Sequence, residues 1–188
     1  MGKFFNAYSI EIILNFCYTT IVVICINGVI VIIFDASTLI LLAKIDLLQV
    51  VLHQYSGVIP ELVKEEIIYK NAMDTKLIVQ QIKEGNLIVN KNPAQDKIKL
   101  ILKDFPLGSG EAAAFIIAKE KECLLATDDG LAIKVCKIFG VKFATAIHFL
   151  IKAGLEKSLS MAKLNLLKKY GRYSVEIVKD AEERIIGR

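Results

Sequence analysis

Residues 29–37 read VIVIIFDAS, an apolar run rich in β-branched residues that ends abruptly on a carboxylate. Six consecutive apolar residues of this composition predict a strand buried on both faces, as in the centre of a parallel sheet. Asp35 would then lie at the carboxyl end of that strand. Ligands of open α/β sheets bind in the crevice outside the carboxyl ends of the strands, so Asp35 is a candidate for chemistry.

Beyond this stretch, short apolar runs alternate with helical patterns. Further strands are predicted at residues 58–59, 87–90, 123–126 and 141–144. The intervening segments predict helices, including one continuous apolar helix over residues 38–55 and a small-residue helix over 111–121 that Ser109 could cap. A helical tail follows from residue 145, broken at Gly154 and Gly171. This alternation is typical of an α/β fold in which helices cover both faces of a parallel sheet.

Length and composition exclude several classes of protein. A chain of 188 residues suggests one domain, and a net charge of +4 tolerates a polyanionic partner without requiring one. The four cysteines form no CxxC pair and have no histidine at metal-ligand spacing, which favours reduced thiols in the cytoplasm over disulfides or zinc. The two histidines lie in no nucleophile motif, which argues against Ser–His or Cys–His hydrolysis.

Residues 1–28 form an apolar extension ahead of a domain at residues 29–188. Residues 12–34 carry no charge, and that span exceeds the roughly 20 residues that cross a bilayer. One interpretation is a membrane anchor over residues 12–26, although polar residues interrupt it and a single span would export the domain. A second is a hairpin turning at Asn27-Gly28, which conflicts with a central strand at residues 29–34. A third is that the native product begins later.

Several acids occupy positions that such a sheet would bring together. Two follow strand ends directly, and others lie in the first turns of neighbouring helices. They are Asp35, Asp128, Asp129, Glu111 and either Glu65 or Glu66. Clustered carboxylates repel one another, and a divalent cation would neutralise them. Oxygen ligands suit Mg²⁺ or Mn²⁺, and such ions support phosphodiester cleavage.

Each acid also has a structural interpretation. Asp35, and Asp128 or Asp129, could cap the helices that follow them, and Glu111 could complement the dipole of its helix. Glu65 and Glu66 could form a solvated face. Because Val63 and Ile67 predict the core side of that helix, Glu66 lies nearer the core and is preferred.

The strings FDAS, VIPELVKEEI, PLGSGEAAAFIIAKE, LLATDDGLAIKVCKIFGVKF and ATAIHFLIKAGL resemble the PIN-domain family. The resemblance covers about residues 29–186 and points to an uncharacterised prokaryotic branch of predicted nucleic-acid-binding proteins. It implies a five-stranded parallel sheet between helices, a three-layer α/β/α fold. It also implies cytoplasmic cleavage of RNA dependent on Mg²⁺ or Mn²⁺, homodimers, and in some members a role as the toxin of a toxin–antitoxin pair, which would bring an antitoxin protein as partner.

The resemblance also implies roles for individual residues. Metal ligands and catalytic acids would be Asp35, Glu66, Glu111 and Asp129, with Asp128 as the alternative to Asp129 because the Thr-x-Asp spacing favours the latter. Ser37 and Thr127 match small hydroxyl positions that orient the acids. Two departures concern substrate positioning, since Lys134 stands where relatives often carry arginine and Ala144-Thr145 replaces Gly-Thr.

The sequence therefore predicts a metal-dependent endoribonuclease. A non-catalytic PIN-like module that binds RNA or protein keeps the same acids and remains the alternative. A phosphatase of the haloacid-dehalogenase type also begins with a strand ending in Asp, but it needs a second Asp where this chain has Ser37.

Overall fold

The fold is known from a computed structural model that describes residues 14–16, 19–21, 25–26, 29–70 and 73–187. The strands are β1 (Leu14–Phe16), β2 (Thr19–Ile21), β3 (Cys25–Ile26), β4 (Val29–Phe34), β5 (Ser56–Pro60), β6 (Leu87–Asn90), β7 (Leu124–Ala126) and β8 (Phe143–Ala144). The helices are α1 (Ala36–Lys44), α2 (Leu48–Gln54), α3 (Glu61–Lys70), α4 (Met73–Lys83), α5 (Gln95–Asp104), α6 (Ser109–Glu120), α7 (Gly130–Phe139), α8 (Ala146–Lys152), α9 (Lys157–Tyr170) and α10 (Val175–Ile186).

Five parallel strands form the central sheet in the order β6-β5-β4-β7-β8. Ile32 of β4 lies opposite Gly57 of β5 on one side and Leu124 of β7 on the other. The side chains of residues 30–34 are all buried, which confirms the prediction of a central strand covered on both faces. The strand order reverses direction between β4 and β7, and the carboxyl ends of these two strands meet at one edge.

The conflict between a hairpin and a central strand disappears because β4 is used in two parts. Its first two residues pair antiparallel with β3, with Ile30 opposite Cys25 and Val29 opposite Ile26. Its parallel neighbours β5 and β7 pair only with residues 31–34. Asn27 and Gly28 lie outside the described residues, as do residues 12–13, 17–18 and 22–24 of the predicted anchor over 12–26.

Helices lie against the sheet and one another in the three-layer α/β/α arrangement that the resemblance implied. Helix α6 contacts β4, β5 and β7 and packs against α5 and α7. Its alanines at residues 112–114 are fully buried. Their small side chains allow the helix to pack closely against the sheet. Helix α1 packs against α3, α4, α8 and α9, which joins the C-terminal helices to the core.

The prediction of one continuous helix over residues 38–55 is wrong. Helix α1 ends at Lys44, and α2 leaves it at an angle of 119°. Asp46 has φ 52° at the turn, a left-handed conformation that aspartate tolerates better than most residues. The buried Lys163 of α9 donates hydrogen bonds to the carbonyl oxygens of Ile45 (2.7 Å) and Asp46 (2.9 Å). A distant lysine therefore satisfies the backbone groups that the break exposes.

Among the described residues, no single helix has both the length and the apolar character needed to cross a membrane, and only the sharply bent pair of α1 and α2 meets those criteria together. A smaller correction concerns α6. Ser109 is its first residue, and the cap position belongs to Gly108.

Candidate active site

The predicted site lies where β4 and β7 end side by side. The backbone N–H of Asp35 donates to the carbonyl of Ala126 (3.0 Å), and that of Thr127 donates to the carbonyl of Ala144 (2.9 Å). The parallel register therefore brings the residue after β4 beside the Thr127-Asp128-Asp129 loop. This edge lies between β4 and β7, where the strand order reverses, the place at which open α/β sheets bind ligands.

Asp35 is a buried carboxylate, with only 1% of its surface exposed. It is the N-cap of α1 and accepts hydrogen bonds from the Ser37 N–H and the Thr127 hydroxyl. Burial raises the pKa of Asp35 from 3.8 to about 7, against the opposing effect of those two donors, and the charge of Glu111 raises it further. Asp35 therefore caps a helix and, when it is ionised, places a poorly solvated negative charge in the crevice.

Glu111 projects from the first turn of α6 toward the same crevice. Its Oε2 accepts a hydrogen bond from the Gly108 N–H (2.9 Å). Burial raises the pKa of Glu111, the Gly108 hydrogen bond opposes that rise, and the charges of Asp129 and Glu66 add to it. Glu111 is thus the carboxylate on which the electrostatic effects of the other acids converge.

Glu66 of α3 faces the N-terminal end of α6, whereas its neighbour Glu65 is exposed. A Cβ atom added at Gly110 would lie 3.0 Å from Glu66 Oε2, so Glu66 packs closely against the start of α6. Lys70 forms an ion pair with Glu66 (2.7 Å), one turn further along α3. The positive charge of Lys70 also lowers the pKa of Glu111.

The paired aspartates of the loop do different things. Asp129 caps α7, and its Oδ1 accepts from the N–H groups of Leu131 and Ala132, both at 2.8 Å. Since both bonds use one oxygen, Oδ2 takes no part in the cap. The repulsion between Asp129 and Glu111 shows that Asp129 belongs electrostatically to the acid group.

The carboxylate of Asp128 accepts three hydrogen bonds from the protein. It accepts from the Thr38 hydroxyl (2.7 Å), from the Ala146 N–H (2.9 Å) and from the Tyr173 hydroxyl. Burial raises the pKa of Asp128, and these three donors oppose that rise. Asp128 therefore ties the loop to α1, α8 and the C-terminal segment.

The two predicted hydroxyl residues connect these acids. Thr127 donates to Asp35 and accepts from the Asp129 N–H (3.2 Å), while Ser37 accepts from the Asp128 N–H (2.9 Å). Sequence reasoning missed Tyr173, because it lies 45 residues from Asp128 in the chain and belongs to no motif. Lys70 could have been found from its spacing of four residues from Glu66. Lys134 is exposed on α7.

Electrostatic effects link Asp35 to Glu111, and Glu111 to Asp129 and Glu66. These four predicted acids form an oxygen-only donor set of the kind that hard divalent cations prefer. Within the described part of the chain, no three His, Cys, Asp or Glu side chains stand close enough together to hold one metal ion as they are. The donor chemistry fits Mg²⁺ or Mn²⁺, and binding one requires side-chain movement. The half-buried side chain of Glu66, which forms an ion pair with Lys70, is suited to that movement.

Comparison with known proteins gives one family match. The model of the DUF3368 family, described as a PIN domain, matches residues 31–182. A search of the curated proteins gives no match. Among solved structures, a PilT N-terminus domain protein from the hyperthermophilic archaeon Sulfolobus solfataricus P2 is 19% identical, with a TM-score of 0.47 over 66% of this chain and 94% of that one.

Proposed function

The chain belongs to the PIN-domain family, and from that premise we propose that it is an endoribonuclease that hydrolyses RNA with Mg²⁺ or Mn²⁺. PIN domains are generally nucleases, which places the chain at the coarse level among hydrolases of phosphodiester bonds. The RNA substrate and the divalent metal are parts of the proposal.

The observation that carries the proposal is the mutual repulsion of carboxylates at one sheet edge. Burial is the largest cause of the raised pKa of both Asp35 and Glu111; the charge of Glu111 adds to the first, and the charges of Asp129 and Glu66 add to the second. Because neighbouring carboxylates repel unless a cation neutralises them, their electrostatic coupling supports a site for a divalent ion. We assign Asp35, Glu66, Glu111 and Asp129 as its ligands.

Asp128 is left out of that ligand set. Its carboxylate already accepts three hydrogen bonds from three different parts of the fold. Releasing it to bind a cation would leave buried donors without partners, at a cost of about 1–3 kcal/mol each.

When bound, the divalent ion supplies a nucleophile at neutral pH and stabilises the charge that develops on the phosphate. The protein's own groups hold the ligands for that chemistry. Thr127 and the Ser37 N–H fix both oxygens of Asp35, and two N-terminal N–H groups of α7 hold Oδ1 of Asp129. The Gly108 N–H orients Glu111. We assign Lys134, exposed on the helix that Asp129 caps, to contact the phosphate backbone.

Partners and location follow from the family alone. We propose a homodimer in the cytoplasm and, if the protein is a toxin, a complex with an antitoxin encoded nearby. Light scattering of the purified protein measures the first, and co-purification with the product of the adjacent reading frame measures the second.

A non-catalytic binding module is the second candidate. It is favoured by the finding that no three acids of the described residues stand at metal-binding distance. Titration with Mn²⁺ separates the two candidates, since a protein that binds no Mn²⁺ at millimolar concentration is not a metal-dependent nuclease.

The decisive experiment assays the purified protein on mixed RNA with and without Mn²⁺. Asp35→Asn and Glu111→Gln should each abolish cleavage while the protein remains folded, because each removes a charged ligand and keeps its shape. Glu65→Gln is the matched control, since it removes a neighbouring exposed carboxylate and should cleave as the wild type does. Undiminished cleavage by both site variants would remove these residues from the mechanism.

A further inference from the structure

Tyr173 lies between α9 and α10 and reaches back into the loop that carries the paired aspartates. Its hydroxyl donates to Asp128 Oδ1 and also interacts with Thr145 and with the backbone of Ile147. Burial and the adjacent Asp128 charge raise the pKa of Tyr173, so the hydroxyl keeps its proton at physiological pH. The donor is therefore permanent.

The contact with Asp128 continues as a chain of hydrogen bonds to the acids of the site. The Asp128 N–H donates to the Ser37 hydroxyl (2.9 Å), and the Ser37 N–H donates to Asp35. On either side of Asp128, Thr127 donates to Asp35, and Asp129 caps α7. A displacement of Asp128 would therefore shift two of the assigned ligands, Asp35 and Asp129.

The lack of a side chain at Gly171 leaves room for the Tyr173 ring in this position. Gly171 is the C-cap of α9, and a Cβ atom added there would collide with the Tyr173 ring and lie 2.9 Å from the Leu167 carbonyl oxygen. The ring therefore packs directly over the backbone at position 171. This contact offers a second way to displace the tyrosine while leaving its hydroxyl intact.

We propose that Tyr173 is a positioning residue of the nuclease site, which holds the Asp128-Asp129 loop in the register that ligand binding needs. The inference rests on the proposed function. It assigns to the C-terminal helices a role in building the site, beyond covering the core. The competing explanation is that Tyr173 only fastens α9 and α10 to the domain.

The test compares Tyr173→Phe and Gly171→Ala with Ser174→Ala. Ser174 is the neighbouring residue and caps α10 through the Ile177 N–H, so its removal loosens the same segment without touching Asp128. Three quantities are measured in each full-length variant: Mn²⁺ affinity by electron paramagnetic resonance, kcat and KM on RNA, and hydrogen exchange of the Asp128 amide.

Tyr173→Phe and Gly171→Ala should weaken Mn²⁺ binding and lower kcat by about tenfold, the low end of the range for residues behind a metal ligand, with KM unchanged. The Asp128 amide should exchange roughly tenfold faster, because loss of a hydrogen bond to a buried charge loosens its residue. Ser174→Ala should match the wild type in all three.

Wild-type affinity, kcat and amide exchange in Tyr173→Phe would overturn the inference and leave the proposed function standing. Equal losses of Mn²⁺ affinity and kcat in Ser174→Ala would also overturn the inference, in favour of the explanation that Tyr173 only attaches α9 and α10 to the domain. A wild-type protein that neither binds Mn²⁺ nor cleaves RNA would overturn the proposed function. In that case the exchange of the Asp128 amide in Tyr173→Phe still tests whether Tyr173 positions the loop, and an unchanged exchange rate would overturn the inference as well.

Discussion

Replacing Asp35 by asparagine should make the metal-free protein more stable at neutral pH while it destroys the proposed activity. The carboxylate is buried, and the fold raises its pKa from 3.8 to about 7. An asparagine keeps the shape, still accepts from the Ser37 N–H and is a good helix N-cap, while the Thr127 hydroxyl loses its acceptor, which reduces the gain. The variant therefore removes the buried charge and leaves the cap.

The magnitude follows from the pKa shift. A shift of about three units corresponds to about 4 kcal/mol at roughly 1.36 kcal/mol per unit, which is the ceiling for the gain. For a domain of this size, each kcal/mol moves Tm by roughly 2–4 °C, so the full effect is on the order of 10 °C. The direction is unusual, since most substitutions in a core destabilise a protein.

The pH dependence identifies the cause. Below pH 3.8, Asp35 is neutral in both the folded and the unfolded wild type, and no charge is buried. Between about pH 4 and pH 7, the unfolded chain ionises while the folded one holds its proton, so the wild type loses stability as pH rises. The variant has no such loss, and the difference between the two should open across this range and level off above pH 7.

The assay is urea or thermal unfolding of both proteins from pH 3 to pH 8 in buffer containing EDTA. A difference in unfolding free energy that stays constant across that range, or that widens toward acid, would refute the reasoning. Added Mn²⁺ should narrow the gap at pH 8, because a ligand that binds only the folded wild type stabilises it by mass action.

Two further predictions separate structural residues from site residues. Asp128→Asn should cost about 1–3 kcal/mol of unfolding free energy in urea, since an amide cannot accept all three of the hydrogen bonds made by Thr38, Ala146 and Tyr173. Asp129→Asn should stay within about 0.5 kcal/mol of the wild-type unfolding free energy and lose Mn²⁺-dependent cleavage. Equal stability of the two variants would contradict the division of roles. Lys163→Met should also cost about 1–3 kcal/mol, because two backbone carbonyls at the α1–α2 break lose their buried donor, while Lys168→Met, which removes an exposed ion pair with Glu182, should cost less than about 1 kcal/mol in the same assay.

Much of the fold could be read from local pattern. The apolar run of β4 predicted its burial, and the alternation of runs predicted the order of strands and helices, because periodicity is set by neighbours in the chain. The break at Asp46 could not be read in this way. The residues around it are helix-compatible, and the donor that stabilises the break comes from Lys163 in α9.

In the candidate site, too, some features follow from local sequence and others from contacts between distant residues. The acids that follow strand ends were found from the sequence, since parallel strands bring their carboxyl ends to one edge. Glu66 was preferred over Glu65 by its position on a helix face, and the structure places it against Gly110. Its role as a ligand remains a prediction, as do those of Asp35, Glu111 and Asp129.

The sequence alone determined which carboxylates follow the strand ends and which lie on neighbouring helices, because strand ends and helix faces follow from residue order and side-chain period. Only the tertiary structure decided how they differ. Asp128 accepts hydrogen bonds from three separate parts of the chain, among them Tyr173, which lies beyond α9. Asp35 is buried away from solvent. Burial and hydrogen bonding between distant residues depend on how layers pack. For that reason, two adjacent and chemically identical aspartates acquire different environments only when the chain has folded.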